Sequence, residues 1–92
     1  MAIVRIPPLL RPKTGGQSEV EAAGSDVGEV LRSLTGEFPD TQEQLFGEDG
    51  ELNRYVNVYL NDEDVRVLQG LETGVKDGDT VVILPAMAGG AN

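Results

Sequence analysis

One stretch of this 92-residue chain carries an apolar repeat of helical period. Val27, Val30, Leu31, Leu34 and Phe38 stand at i, i+3, i+4, i+7 and i+11, which puts them on one face of a helix of about three turns. Asp26 just before the repeat and Glu29 three residues later fit a capping box. Gly28 and Gly36 weaken the helix by roughly 1 kcal/mol each relative to Ala if they are internal, and Gly36 is a candidate for its end. A chain of this length is one domain, and a single apolar stripe must be buried against something, so the remaining segments have to supply a sheet.

Those segments alternate with period two. Ala2 to Ile6 reads as a strand with Val4 and Ile6 on one face and Arg5 on the other. Pro7, Pro8 and Pro12 cannot donate to a ladder, so the chain beyond Ile6 leaves the strand. Thr14-Gly15-Gly16-Gln17 marks a turn, and Ser18 to Ala22 returns with Val20 inward and Glu19 and Glu21 outward, completing a hairpin. After the helix, Thr41 to Leu45 forms one short turn with Leu45 and Phe46 under the core, and Gly47 to Asn53 is a polar surface loop. Arg54 to Leu60 is the clearest strand, with Val56, Val58 and Leu60 inward and Tyr55, Asn57 and Tyr59 outward. Asn61 to Asp64 predicts a turn, Val65 to Leu68 a short strand and Gly70 to Val75 an irregular connection. A further turn falls at Lys76 to Asp79. Thr80 to Leu84 is almost continuously apolar, which suits the centre of a sheet. With a right-handed crossover, the first and last strands become parallel central neighbours. The expected class is α+β: a β-grasp, with a mixed sheet of four or five strands, one main helix and a flexible C-terminal tail. The domain spans 1–84 and the tail 85–92.

Composition narrows the function. Seven Lys and Arg against sixteen Asp and Glu give a net charge of −9, which disfavours nucleic acid as a partner. With no cysteine there is no thiol nucleophile or thiolate metal site, and with no histidine there is no Ser-His-Asp arrangement. The apolar runs are far shorter than the roughly 20 residues of a membrane span, and the N-terminus lacks the layout of a secretion signal. A cytoplasmic, non-catalytic domain with no cofactor of its own and no membrane or nucleic-acid partner is expected.

Several stretches then carry a likeness. Ile6-Pro7, Leu10-Arg11-Pro12 and Thr14-Gly15-Gly16-Gln17 are joined by Arg54 to Arg66, Asp77-Gly78-Asp79 and Ile83-Leu84-Pro85-Ala86-Met87-Ala88-Gly89-Gly90. Together with the strand order, they resemble the ubiquitin-like sulfur carriers of the MoaD/ThiS family, nearest to the actinobacterial carriers of cysteine synthesis. The departure is Ala91-Asn92, since mature carriers end at the second glycine.

The tail fits what this resemblance implies. Pro85 to Gly90 reaches roughly 20 Å when extended, and Ala88, Gly89 and Gly90 can enter a channel too narrow for larger side chains. The resemblance implies that the Gly90 carboxylate is adenylated by an E1-like adenylyltransferase/sulfurtransferase, and that sulfide displaces AMP to leave a thiocarboxylate. The chain itself needs no catalytic residue, because the covalent chemistry comes from its partners. The acceptor implied is O-phosphoserine on a PLP-dependent cysteine synthase. The alternatives are a molybdopterin precursor, a thiamin thiazole precursor or a ThiG-like thiosugar synthase. An alternative of another class is a ubiquitin-like protein modifier, although Met87-Ala88 stands where such modifiers usually carry an arginine. Ala91-Asn92 reads either as a precursor extension, cut between Gly90 and Ala91 by a JAMM-class zinc protease, or as an expression scar.

Other features keep two readings each. Tyr55, Asn57 and Tyr59, with Met87, suit a partner surface, or the tyrosine face is ordinary sheet surface. Glu48, Asp49, Glu51, Asp62, Glu63 and Asp64 either steer the chain onto basic surfaces or keep it in solution. Asp62-Glu63-Asp64 lacks the ligand spacing of a calcium loop. Arg5, Arg11 and Lys13 pair with a partner's anion, or internally with Glu19 or Glu21. Gly15-Gly16 is not a phosphate loop, because no helix follows it directly.

Overall fold

A computed structural model describes residues 1–85. Five strands, β1 (Ala2–Arg5), β2 (Glu19–Ala22), β3 (Val56–Leu60), β4 (Glu63–Asp64) and β5 (Thr80–Pro85), form one sheet in the order β2-β1-β5-β3-β4. β1 and β5 are parallel, and the other three pairs are antiparallel. The expected β-grasp is therefore present, with the apolar last strand at the centre. Helix α1 (Val27–Glu37) covers one face, and the single-turn α2 (Gln42–Leu45) closes one end.

The core follows the alternation. Val4, Ile6, Val20, Val56, Val58, Leu60, Val81 and Ile83 are buried from the sheet, and Val27, Val30, Leu31 and Leu34 from α1. Phe38 packs against this cluster from its rim, and Leu45 and Phe46 complete it. The Asp26 carboxylate accepts from the Glu29 N–H at 2.8 Å, the first half of the capping box. The second half is displaced by one residue: Glu29 Oε1 accepts from the Ser25 N–H at 2.8 Å and the Ser25 hydroxyl at 2.9 Å. The Asp26 N–H of a standard box is replaced by the residue before it. Helix α1 runs through Gly36 and ends at Glu37. Gly28 lies where an added Cβ would stand 3.2 Å from the Leu71 carbonyl oxygen, so it admits the segment that follows β4.

The turn expected at Thr14 to Gln17 is present: the Gln17 N–H donates to the Thr14 carbonyl at 3.2 Å, and Gly15 and Gly16 adopt φ of 66° and 82°, with a 3-10 helix over Pro8–Thr14 leading into it. Two other local expectations are corrected. Strand β3 begins at Val56 rather than Arg54, because Asn53 claims the preceding backbone. Its Oδ1 accepts the Tyr55 N–H at 2.9 Å, and its carbonyl accepts the Val56 N–H at 3.0 Å. The short strand after β3 is Glu63–Asp64, not Val65 to Leu68. Asn61 and Asp62 both take positive φ, 49° and 76°, so two residues reverse the chain and pairing resumes at once, with Glu63 opposite Leu60. Val65 to Leu68 then turns away, leaving Val65 buried and Val67 exposed. No helix among the described residues is long and apolar enough to cross a membrane.

Candidate functional site

The central strand delivers the chain to the site. Pro85, the last residue of β5, pairs with Val56, and Leu84 pairs with Asn57. Whatever follows Pro85 therefore starts from a position fixed by β3, since the pairing with β1 ends at Val82. The face of the sheet away from α1 carries Arg5, Val82 and Tyr59 in one row, and Leu84 and Asn57 in the next. Leu84 is 44% exposed, although it sits on a central strand. An apolar side chain in that position gains little for the fold, and it forms with half-buried Val82 and Tyr59 a short apolar strip beside Pro85.

Asn57 and Tyr59 share this outer face, as the alternation predicts. Tyr55 does not lie on the strand with them. It is in the turn before β3, 51% exposed, with the Arg54 guanidinium 5.4 Å from its ring centre. It borders a shallow groove lined also by Glu48, Asp49 and Leu52. Arg66, which the sequence reading did not single out as a site residue, reaches back across the outer face. It donates to Asn57 Oδ1 at 2.9 Å and to the Asn53 carbonyl at 3.1 Å. Outward Val82 and Leu84 were legible in the unbroken apolar run of β5. Arg66 was not, because its reach depends on the two-residue turn that brings the chain back beside β3.

On the other side of β5, Arg5 stands opposite Glu19 with its Nε 3.8 Å from Oε2, an exposed and loose pair. Of the two readings of the basic cluster, internal pairing therefore holds for Arg5. Arg11 instead donates from Nε to the Ile6 carbonyl at 3.1 Å, and Lys13 is exposed. Arg5, Arg11, Pro7, Pro8, Val82 and Leu84 line a groove of about 500 Å³ that flanks the strip. Among the described residues no cluster of acids could hold a metal ion. Three carboxyls are held below their ordinary range: Glu29 by the Ser25 backbone N–H, Asp77 by the N-terminal ammonium, and Asp79 by the Lys76 backbone N–H and the Asn61 amide. All three belong to caps and turns rather than to this face.

Met87, Ala88, Gly89, Gly90 and Ala91 lie outside the described residues. The family comparison does extend over part of that segment: the ThiS family matches residues 4–90. "Sulfur carrier protein CysO" of Mycobacterium tuberculosis is 49% identical over 89 residues, covering 95% of this chain and 96% of that protein. "Small archaeal modifier protein 3" of Haloferax volcanii is 45% identical over 64 residues, 70% of this chain and 68% of that protein. A chain of the Amycolatopsis orientalis BexX/CysO complex superposes with a TM-score of 0.88 at 46% identity, covering 94% of this chain and 96% of that one.

Proposed function

The chain belongs to the ThiS family and is a sulfur carrier protein of the CysO type, a carrier rather than an enzyme; from that premise we propose that its working group is the Gly90 carboxylate. The observation that carries this is the family match running past the end of the described fold to residue 90. The carboxylate attacks the α-phosphorus of ATP on an E1-like partner and displaces pyrophosphate, giving an acyl adenylate. Hydrosulfide then attacks the acyl carbon, AMP leaves, and a thiocarboxylate remains on Gly90.

This chemistry needs a free carboxylate, and in the sequence the Gly90 carbonyl is an amide to Ala91. The Gly90–Ala91 bond must therefore be hydrolysed first, work suited to a JAMM-class zinc protease. Ala88, Gly89 and Gly90 enter the partner's active site, where bulkier side chains would not pass. Likeness to CysO favours O-phosphoserine on a PLP-dependent cysteine synthase as the acceptor: the thiocarboxylate sulfur replaces the phosphate, and the acyl-linked cysteine is released by hydrolysis. A ThiG-like synthase is the alternative acceptor-holding partner, and a complex of CysO with a second protein, BexX, is known from Amycolatopsis orientalis. Asn57 and Tyr59, with Met87 and with Tyr55 at the rim, form the proposed docking surface.

The test uses the chain ending at Gly90 and the chain ending at Asn92, each with an activating enzyme, ATP and a sulfide source. Mass spectrometry is expected to show sulfur replacing one oxygen in the first chain alone. Conversion of the chain ending at Asn92 would overturn the requirement for cleavage.

A further inference from the structure

The β3–β5 ladder stops one rung short of where its register could carry it. Residues along β3 direct their backbone groups alternately to its two neighbours. The Val58 carbonyl accepts the Val65 N–H at 3.0 Å on the β4 side, and the Asn61 N–H donates to the Thr80 carbonyl at 2.9 Å on the β5 side. The same alternation turns Tyr59 and Asn57 to β5, and continued to Tyr55 it would aim that N–H at β5 as well. Val56 pairs with Pro85, so one more step of register would set Tyr55 against residue 86 as a hydrogen-bonded pair. The Tyr55 N–H is already taken: Asn53 Oδ1 accepts it at 2.9 Å. Asn53 is itself fastened through its backbone. Its N–H donates to the Leu45 carbonyl at 2.8 Å, and its carbonyl accepts the Val56 N–H at 3.0 Å and Arg66 Nη2 at 3.1 Å. Arg66 also donates through Nη1 to Asn57 Oδ1 at 2.9 Å, so its guanidinium ties Asn53 to β3. The other edge of β5 is closed by prolines. Its pairing with β1 ends at Val82, and Pro7, Pro8 and Pro85 have no N–H with which to prolong it.

Resting on the carrier reading, we propose that Asn53 is a positioning residue for sulfur loading: it withholds the Tyr55 N–H from residue 86, ends the ladder at Pro85 and leaves the tail its full reach. Residues 86–90 span at most about 17 Å when extended. One more hydrogen-bonded pair and its neighbour would draw residues 86 and 87 into the sheet, at about 3.3 Å each, and remove roughly 7 Å of that reach. Gly90 would then stop short of an active centre shaped for the longer tail. Arg66 acts through Asn53, holding its carbonyl while the Asn53 side chain holds Tyr55. An acceptor already ordered in this way loses little conformational entropy on taking the Tyr55 N–H, so the carbonyl of residue 86 competes poorly for it.

The experiment compares unaltered chain, Asn53→Ala, Asn53→Asp and Arg66→Met, with thermal melts to verify that each is folded. NMR on the full-length, isotopically labelled chains looks for a cross-strand Hα–Hα contact between Arg54 and Met87, the pair that follows Tyr55 and residue 86 in register. The contact is expected in Asn53→Ala and in Arg66→Met, and not in the unaltered chain or in Asn53→Asp, whose carboxylate still accepts the Tyr55 N–H. Sulfur loading is measured on the same four chains ending at Gly90, with an E1-like adenylyltransferase/sulfurtransferase, ATP and sulfide. Only chains with the added rung open can enter the partner, so Asn53→Ala should raise KM about fivefold and leave kcat unchanged. Asn53→Asp should load as the unaltered chain does. Absence of the Arg54–Met87 contact from both Asn53→Ala and Arg66→Met overturns the proposal. An unchanged KM for Asn53→Ala overturns it too, as does a KM for Asn53→Asp raised as far as that for Asn53→Ala. If the unaltered chain ending at Gly90 takes up no sulfur, the carrier reading fails, and the NMR contact still decides whether Asn53 stops the ladder.

Discussion

Asn61 joins the β3–β4 turn to the start of β5 through Asp79. Its amide donates to Asp79 Oδ1 at 3.0 Å, while its own Oδ1 accepts the Thr80 N–H at 3.0 Å. The same residue holds a φ of 49°, a conformation that Asn tolerates and Ala resists. Asn61→Ala loses both hydrogen bonds and gains backbone strain, so it should destabilise by about 1–3 kcal/mol. Asn61→Gly relieves the strain without restoring the bonds and should recover part of that loss. Urea unfolding of the two variants separates the contributions, and equal loss in both would show that the backbone strain contributes nothing.

Acid should remove a defined part of the stability. The Ser25 backbone N–H lowers the Glu29 carboxyl, and the Lys76 backbone N–H followed by the Asn61 amide lowers Asp79. Each group is deprotonated in the folded chain at a pH where the unfolded chain already binds a proton. The stabilisation is therefore complete above the ordinary carboxyl range, about pH 4–4.5, and is lost as pH falls through the lower folded values. Glu29 is exposed and Asp79 half-buried, so the effect is modest. A Glu29→Gln, Asp79→Asn double variant should lose less melting temperature than the unaltered chain between about pH 6 and pH 3. Parallel curves for the two proteins would contradict the assignment.

Two glycines should respond in opposite directions to the same substitution. A Cβ at Gly24 would lie 2.6 Å from the Val30 backbone nitrogen, so Gly24→Ala must push the β2–α1 connection off the helix. Gly36 is inside α1 with nothing within 4 Å of its added Cβ. Gly24→Ala should cost about 1–3 kcal/mol, and Gly36→Ala should add roughly 0.5–1 kcal/mol through helix propensity. Chemical denaturation with matched m-values checks both. Stabilisation by Gly24→Ala would mean that the connection relaxes more freely than its packing indicates.

The fold was legible where burial dictates residue type. Val56, Val58 and Leu60 alternate because one face of β3 is covered, and the continuous run of β5 follows from its central place between β1 and β3. What escaped reading were the places where side chains compete for backbone groups. Asn53 ends its loop by taking the Tyr55 N–H, and Ser25 rather than Asp26 supplies the donor to Glu29. Asn61 and Asp62 turn the chain in two residues, which moved the following strand onto Glu63–Asp64, two acids with no strand pattern. The site divides in the same way. Asn57 and Tyr59 could be placed outward by counting, whereas Tyr55 and Arg66 depend on turns that only three-dimensional pairing defines.

Under the proposed chemistry the Gly90 acyl group can surrender either of two things, and the products distinguish them. A thiocarboxylate gives up its sulfur to a small acceptor, and the chain returns with an oxygen in its place. A modifier gives up the acyl group to a lysine amine, and the chain remains as an isopeptide on another protein. The likeness to an archaeal modifier over 64 residues makes the comparison pointed. Met87-Ala88 before the two glycines favours sulfur transfer, since modifiers of the ubiquitin type usually place an arginine there. Tagged chain ending at Gly90, expressed in its own host and blotted under reducing conditions, should run mainly as the free protein. The same preparation, loaded with labelled sulfur, should pass the label to O-phosphoserine in the presence of a PLP-dependent synthase, or to the substrate of a ThiG-like one. Substituting Gly90 should abolish the transfer while leaving the melting temperature unchanged. A ladder of protease-sensitive, high-mass conjugates together with no sulfur reaching any small acceptor would move the chain from carrier to modifier.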